Sequence, residues 1–233
     1  MEIIYEDEQI LVLNKPAGVV VNRSETVRGE TIQDWLVKYL GKERMQGKLM
    51  KSRNGLAHRL DKETSGCLLI GKSEEVLERL LAAFKGREVE KEYLALVHGL
   101  VEVGEGGMSL PIERDRRDRE KRRVGYQGKK AETWWKVEEY FEKNEEKLTL
   151  LRIWPKTGRT HQIRVHLAHI GHPIFSDSMY LAKKKREADR EKLARHFLHA
   201  CKLTFNHPVE NRKVEVEAPL GEELEFLLTE LRD

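Results

Sequence analysis

The chain has 233 residues, of which 39% are hydrophobic and 36% carry a charged side chain. A chain of this length can bury one substantial core or two small ones, and the large charged fraction predicts a well-hydrated surface. The formal net charge is only +3, which excludes a simple polycation and means that any basic surface must be local. The sequence contains neither a membrane-spanning apolar run nor a basic leader at its start, so we expect a cytoplasmic protein with no membrane partner.

The first part of the chain alternates short apolar runs with turn signals. Two β-type runs at 3–5 and 10–13 flank an acidic turn and predict a hairpin. The turn Asn14-Lys-Pro-Ala-Gly18 follows, where Lys15, taken alone, fits a solvated turn lysine. Next, Thr31 is predicted to begin a helix over 31–40, and the link 42–54 is predicted to be a basic loop. The apolar stripe of that helix comprises Ile32, Trp35, Leu36 and Tyr39.

The stretch Gly55–Gly66 packs polar and charged side chains directly before an apolar run at 67–70, which predicts a buried strand. A polar segment that enters a buried strand can hold a carboxylate in a fixed position, and Asp61 is the candidate. From the residues alone, the commoner interpretation of Asp61 is a turn residue that caps a backbone N–H and pairs with Arg59.

A helix is predicted after Ser73, with Val76, Leu77, Leu80, Leu81 and Phe84 on its buried face. The strand predicted over 91–98 carries Tyr93, which by itself fits an ordinary core tyrosine with a satisfied hydroxyl. Cys67 and Cys201 each lie in an apolar run, far apart in the sequence, and are predicted to be buried thiols rather than metal ligands or a disulfide.

The segment Arg114–Arg123 is ten charged residues in a row, seven of them basic. Such a run cannot be core, and it most often forms a solvated surface. Two long β-type runs at 131–141 and 147–154 then predict a hairpin whose turn spans 142–146.

Thr160 is predicted to cap a helix over 161–170, on which His161 and Arg164 share a face. Histidines at 161, 166, 169 and 172 suggest zinc, but 161 and 166 fall on different faces and no acidic or cysteine ligand has metal spacing nearby. We therefore predict no metal site. A basic helical segment over 183–195, strands at 199–205 and 213–217 and an amphipathic helix from 222 complete the chain.

Strands outnumber helices, and most neighbouring strands are joined as hairpins. These features predict an α+β fold with a mixed, mostly antiparallel central sheet flanked by helices. Because no repeat, linker or boundary is evident, we predict a single domain over 1–233.

The stretch His58-Arg-Leu-Asp-x-x-Thr-Ser-Gly66, followed by apolar residues, resembles the catalytic motif of the RluA-type RNA pseudouridine synthases. A second stretch, Thr157-Gly-Arg-Thr-His-Gln-Ile-Arg-Val-His166, resembles another motif of that family. Together the two motifs are highly specific. Matching segments occur in the family's order at Asn14–Gly18, His58–Gly66, Lys91–Ala95, Thr157–His166 with Gly171–Pro173, and Leu198–Pro208. The chain is similar to shorter members that lack an S4 domain.

The resemblance implies a pseudouridine synthase fold with a catalytic cleft, a monomer, no cofactor, and activity on uridines in stem-loops of large-subunit ribosomal RNA, transfer RNA or both. It implies the catalytic residues Asp61, Tyr93 and Arg164. It implies the substrate-binding residues Arg59, His58, Lys15, Thr64, Arg159, His161 and Leu203. Four arginines are implied to grip the RNA backbone: Arg116, Arg117, Arg122 and Arg123.

Two other functions remain as alternatives at this point. A non-catalytic RNA-binding protein could use the same fold, although Asp61 and Tyr93 are both present. A carboxylate-based nucleosidase or glycosidase usually needs two carboxylates that flank the bond, and Glu63 is the only other acid in the motif.

Overall fold

The computed structural model describes residues 1–25, 27–143 and 146–233. The chain divides into two compact units, the first comprising 1–90 with 200–219 and the second comprising 91–199 with 220–233. Within the described residues, no helix has both the length and the apolar character needed to cross a membrane. The prediction of a single domain stays a prediction.

The strands, in chain order, are β1 (Glu2–Glu6), β2 (Ile10–Lys15), β3 (Ser65–Gly71), β4 (Glu90–His98), β5 (Glu105–Ser109), β6 (Ile112–Arg114), β7 (Arg122–Val124), β8 (Glu132–Lys143), β9 (Glu146–Pro155), β10 (Leu198–Asn206) and β11 (Lys213–Glu217). The α-helices are α1 (Ile32–Leu40), α2 (Lys48–Arg53), α3 (Glu74–Gly86), α4 (Gln162–His169), α5 (Lys183–Lys192) and α6 (Glu222–Arg232).

The first unit is a sheet with the strand order β1-β2-β3-β10-β11, covered by helices. The pairs β1–β2, β2–β3 and β10–β11 are antiparallel. All seven residues of β3 are buried, and Ile10–Leu13 of β2 are fully buried, so these two strands form the centre of the core. The strand β3 starts where the Asp61 motif ends, so the motif is attached to a fully buried strand of the unit.

The helix predicted over 31–40 is confirmed with Thr31 as its cap, which accepts a hydrogen bond from Asp34 N. Its predicted stripe is partly wrong. Tyr39 is 43% exposed and stacks on Trp35 with ring centroids 4.7 Å apart, while Gln33 and Leu40 are buried instead.

The predicted loop 42–54 contains a short 3-10 helix at Lys42–Arg44 and also α2, so the loop prediction is wrong. The amide nitrogens of Leu49 and Met50, at the start of α2, donate to the Glu74 carboxylate at 2.9 and 2.8 Å. Glu74 belongs to α3, so a tertiary contact caps this helix and the local sequence pattern does not show it.

The second unit contains the antiparallel sheet β4-β9-β8-β5 and a separate two-stranded ribbon, β6-β7. The hairpin of β8 and β9 confirms the prediction, and residues 144–145 of its predicted turn lie outside the described residues. The charged run is not all loop, because Arg114 ends β6 and pairs in register with Arg122 of β7.

The helix α4 begins at Gln162, and the residue at its N-cap is His161, whose φ is 56°. The predicted cap at Thr160 is therefore wrong. The Gln162 amide oxygen accepts from Arg159 N at 3.0 Å and from the Thr157 hydroxyl at 2.6 Å. A buried glutamine therefore organises this turn. The amphipathic helix predicted from 222 is observed as α6, in which Leu224 and Leu227 are buried and Phe226 is 64% exposed.

Candidate active site

Asp61 lies in a tight turn of the first unit, where Thr64 N donates to Asp61 O at 3.2 Å. The neighbours Leu60 and Thr64 are almost fully buried, while Asp61 itself is half-buried. The turn is thus anchored on both sides of a carboxylate that keeps partial access to solvent.

Lys15 is fully buried, which excludes a solvated turn lysine. Its ammonium group donates to Pro16 O at 2.8 Å, Val19 O at 3.0 Å and Lys62 O at 3.1 Å. Gly18 N also donates to Lys62 O, at 2.9 Å. The Asn14–Gly18 turn therefore holds the backbone directly after Asp61, and the substrate-binding role of Lys15 stays a prediction.

Two further contacts fix the same loop. His58 Nε2 accepts from Leu69 N at 3.0 Å, and the His58 ring stacks on Phe84 with centroids 4.8 Å apart. Gly66 has φ of 108°, and a Cβ there would lie 2.2 Å from Ala200 O, so this position requires glycine. Because backbone and side-chain contacts hold the loop at both ends, its carboxylate is positioned before any substrate binds.

The remaining predicted residues of the first unit differ in exposure. Arg59 is exposed on the Asp61 loop, as a residue that meets RNA must be. Leu203 is only 1% exposed on β10, so its predicted place in the wall of a base pocket stays untested.

In the second unit, Tyr93 and Arg164 are both buried, at 8% and 3% exposure. Arg164 binds Asp177 through two hydrogen bonds, Nε to Oδ2 at 2.7 Å and Nη2 to Oδ1 at 2.9 Å. Burial alone would raise the pKa of Asp177, but the hydrogen bonds and charge of Arg164 outweigh that effect and lower the pKa to about 2. The sequence analysis did not indicate Asp177 as a partner of Arg164.

Tyr180 is a second residue that the sequence did not indicate. Its hydroxyl accepts from Arg122 N at 2.9 Å and lies 2.9 Å from His161 Nδ1. The Arg164 guanidinium lies 5.2 Å from the centroid of the Tyr180 ring, within the range of a cation–π contact. One side chain thus contacts the basic ribbon and two of the predicted site residues.

The four predicted RNA-contacting arginines lie on or next to the β6-β7 ribbon. Arg116, Arg117 and Arg123 are exposed and Arg122 is half-buried. Arg123 forms an ion pair with Glu113 at 2.6 Å, so its charge is partly compensated. Arg159 is also exposed, and its Nε donates to Lys130 O at 3.0 Å.

Residues 9–169 match the family model described as RNA pseudouridylate synthase, which covers more than half of the chain. The chain belongs to the RNA pseudouridylate synthase family. The prediction of the family and of an RNA pseudouridine synthase enzyme is therefore confirmed.

Relatives of this synthase align along nearly its whole length. The "Uncharacterized RNA pseudouridine synthase YlyB" of Bacillus subtilis is 37% identical over 232 residues, covering 100% of this chain and 73% of the relative. The "Ribosomal large subunit pseudouridine synthase C" of Escherichia coli is 38% identical over 239 residues, covering 99% of this chain and 70% of the relative.

The solved structure titled "Human RNA Pseudouridylate Synthase Domain Containing 1" superposes with a TM-score of 0.72 at 28% identity, covering 99% of this chain and 94% of the human one. The human "RNA Pseudouridylate Synthase Domain Containing 4" has a TM-score of 0.71 at 24% identity. The predicted α+β pseudouridine synthase fold is confirmed.

The synthase carries one group of metal-type ligands among its described residues, formed by His98, Glu146 and Asp189. His98 Nε2 lies 2.8 Å from Asp189 Oδ2, and Glu146 forms an ion pair with Lys192 at 3.0 Å. His98 and Asp189 therefore form a buried pair, and Glu146 belongs to an ion pair beside it. These contacts occupy His98 Nε2 and carboxylate oxygens, the atoms that would bind a metal.

His166 of α4 is likewise bound by protein groups through both ring nitrogens. His166 Nδ1 lies 2.9 Å from Thr133 Oγ1, and Nε2 lies 3.0 Å from Leu110 O. Burial lowers the pKa of His166, so the ring is neutral and Nε2–H donates to the carbonyl. His166 of the synthase is therefore a core residue.

Proposed function

We propose that this synthase isomerises specific uridines in structured RNA, in large-subunit ribosomal RNA, transfer RNA or both, with Asp61 as the catalytic carboxylate. The observation that carries the proposal is the fixed Asp61 loop in a chain that belongs to this enzyme family. The name of the Escherichia coli relative supports large-subunit ribosomal RNA as the first substrate to test.

The reaction needs no net oxidation and no external energy. The N1–C1′ bond of uridine breaks, the uracil turns within the site, and C5 bonds to C1′. The hydrogen on C5 is then lost as a proton, and N1 gains one. Reactant and product are isomers, so the proposed chemistry needs only a group that acts at C1′ and a group that takes the C5 proton.

Asp61 would act at C1′, either as a nucleophile or by stabilising and deprotonating the sugar. A partly desolvated carboxylate stays ionised most readily beside a cation, and Arg164 is the proposed cation. Tyr93 would pack on the uracil and take the C5 proton. Leu203 and its neighbours on β10 would form part of the wall around the base.

The target base must leave its stack to reach Asp61, which costs roughly a few kcal/mol. Arg59, exposed on the same loop, would fill the gap that the base leaves in the RNA. His58, Lys15 and Thr64 would keep that loop in place while the RNA binds. Arg159 and His161 would contact the RNA near the target nucleotide.

The test uses transcripts of large-subunit ribosomal RNA and transfer RNA labelled with tritium at C5 of uridine. Isomerisation releases tritium to water and leaves the base attached, so pseudouridine appears in the digested RNA. A nucleosidase would release labelled uracil, and a non-catalytic binding protein would release neither. Free uracil, or the absence of pseudouridine from every transcript and from total cellular RNA, would contradict the proposal.

A further inference from the structure

The second unit contains a pocket of about 510 Å³ between the basic ribbon and the turn that precedes α4. That volume lies within the roughly 300–1,000 Å³ typical of small-ligand sites. Its lining includes the ribbon residues Arg114 and Arg122, then Lys129, and Gly158 and Arg159 from the turn. Arg122 and Arg159 are among the residues proposed above to contact RNA, but no step of the proposed isomerisation uses this space.

The pocket has an uncompensated positive charge. Within residues 1–25, 27–143 and 146–233, no acidic side chain pairs with Arg114, Lys129 or Arg159. The one acid in the lining, Glu113, is bound by Arg123 at 2.6 Å. A pocket lined by unpaired cations binds anions, and the oxygens of a phosphodiester are suitable acceptors.

An exposed aromatic residue adjoins the pocket lining in the chain. Tyr126 is 98% exposed and directly precedes Gln127, which lines the pocket. It lies at the tip of a turn closed by Gly128 N donating to Gly125 O at 2.9 Å.

The turn that carries Tyr126 is held rigidly. Gly125 N donates to Pro111 O at 2.9 Å, and the Lys129 and Ile112 backbones exchange two hydrogen bonds of 3.0 Å. A Cβ at Gly128 would lie 2.4 Å from the carbonyl carbon of Ile112, so the turn approaches β6 as closely as glycine permits. An aromatic ring on a fixed turn beside unpaired cations is the arrangement that binds unstacked bases.

We propose that this pocket, with Tyr126, binds an unpaired nucleotide of the substrate RNA that flanks the target uridine. Its phosphate binds Arg114, Lys129 and Arg159, and its base stacks on Tyr126. The inference rests on the proposed function, since it assumes an RNA substrate, but it concerns recognition and not the isomerisation step.

The first test measures RNA affinity in the 233-residue chain with the Asp61→Asn substitution, so that catalysis does not contribute. Replacing Tyr126 with Ala should raise the Kd by about 5- to 100-fold, the range expected when one stacked base no longer has its aromatic partner. Tyr126→Phe, which keeps the ring, should bind within about twofold of its parent, on the same stacking grounds. Because Tyr126 carries no charge, the dependence of log affinity on log salt should keep its slope.

A second variant tests the pocket without a change of charge. A Cβ added at Gly158 meets no atom within 4 Å, so we use Gly158→Leu to place an apolar side chain at the pocket. Gly104 is equally open and lies outside the pocket lining, so Gly104→Leu is the matched control. The first variant should weaken RNA binding and the second should not, with thermal unfolding measured for both.

Two results would overturn the inference. One is unchanged RNA affinity in both Tyr126→Ala and Gly158→Leu. The other is an equal loss of affinity in Tyr126→Phe and Tyr126→Ala, which would assign the effect to the hydroxyl. If either result occurs while the wild type still forms pseudouridine, the inference fails and the proposed function stands. If no transcript is modified but Tyr126→Ala still weakens RNA binding, the proposed function fails and the inference stands.

Discussion

Arg164 and Asp177 form a buried, bidentate ion pair, with hydrogen bonds of 2.7 and 2.9 Å. The same carboxylate accepts from Met179 N at 2.8 Å and Tyr180 N at 3.0 Å through Oδ1. Asp177 thus links the proposed catalytic arginine to the segment that carries Tyr180. We infer that it fixes the orientation of the Arg164 guanidinium.

Replacement of Asp177 by Asn should destabilise the protein in a pH-dependent way. The pKa of Asp177 is lowered from 3.8 to about 2, so its stabilising effect is complete above about pH 4 and is lost as the pH falls towards 2. The shift corresponds to on the order of 2 kcal/mol, and breaking the buried pair can cost about 3–5 kcal/mol. Urea unfolding of both proteins between pH 2 and 6 measures the difference.

The control for this prediction is Asp118→Asn, which changes a partly exposed aspartate of the same unit and should have little effect at any pH. A deficit for Asp177→Asn that stays constant down to pH 2 would show that the ion pair is not its source.

Tyr180→Phe should weaken RNA binding by about three- to tenfold while the rate at saturating RNA changes little. The variant keeps the ring beside Arg164 but removes the hydroxyl that contacts Arg122 N and His161 Nδ1. Each such hydrogen bond contributes about 1 kcal/mol, so the ribbon should no longer be held in a fixed position, although the fold should persist.

The matched variant Tyr180→Leu also removes the ring and should lower the saturating rate. Full affinity of Tyr180→Phe for RNA would show that the hydroxyl does not position the ribbon.

Much of this architecture was predictable because the core elements have strong periodicity. The apolar run at 67–70 and the Ser73-capped α3 are of this kind. The strand β5 was missed because Gly106 and Gly107 leave it without an alternating apolar pattern, and their Cβ positions are filled by tryptophan rings of β8. Tertiary contacts define such a strand.

The site was less predictable than the fold. The Asp61 motif was visible because several unusual residues are adjacent in the sequence. Asp177 and Tyr180 act through contacts with Arg164, and a lone acid and a lone tyrosine give no local signal.

Tyr93→Phe should separate packing from proton transfer. The variant keeps a ring of the same shape on β4, so RNA affinity should stay near that of the wild type. If the hydroxyl takes the C5 proton, tritium release should slow or stop. A variant that releases tritium at the full rate would leave Tyr93 only a packing role.

The basic ribbon should supply affinity and not chemistry. Replacing Arg116, Arg117, Arg122 and Arg123 with Ser should flatten the slope of log affinity against log salt by roughly 2–3, at about 0.7–0.9 for each phosphate that an arginine neutralised. Because Glu113 already pairs with Arg123, we expect the change of slope to lie near the lower end of this range. The rate of pseudouridine formation at saturating RNA should stay near that of the wild type.

The matched control for the ribbon removes four basic residues of α5, Lys183, Lys184, Lys185 and Arg190, by replacement with Gln. An equal change of slope in both variants, or no change in the Ser variant, would reject a specific RNA-gripping role for the ribbon.

The most direct test of the proposed mechanism is tritium release by pure Asp61→Asn protein from C5-labelled substrate RNA. The matched control is Glu63→Gln, which makes the same carboxylate-to-amide change two residues away in the same loop. We predict no tritium release and no pseudouridine with Asp61→Asn, at RNA affinity and thermal stability near those of the wild type, while Glu63→Gln remains active. Measurable turnover by Asp61→Asn would contradict the assignment of Asp61 as the catalytic carboxylate.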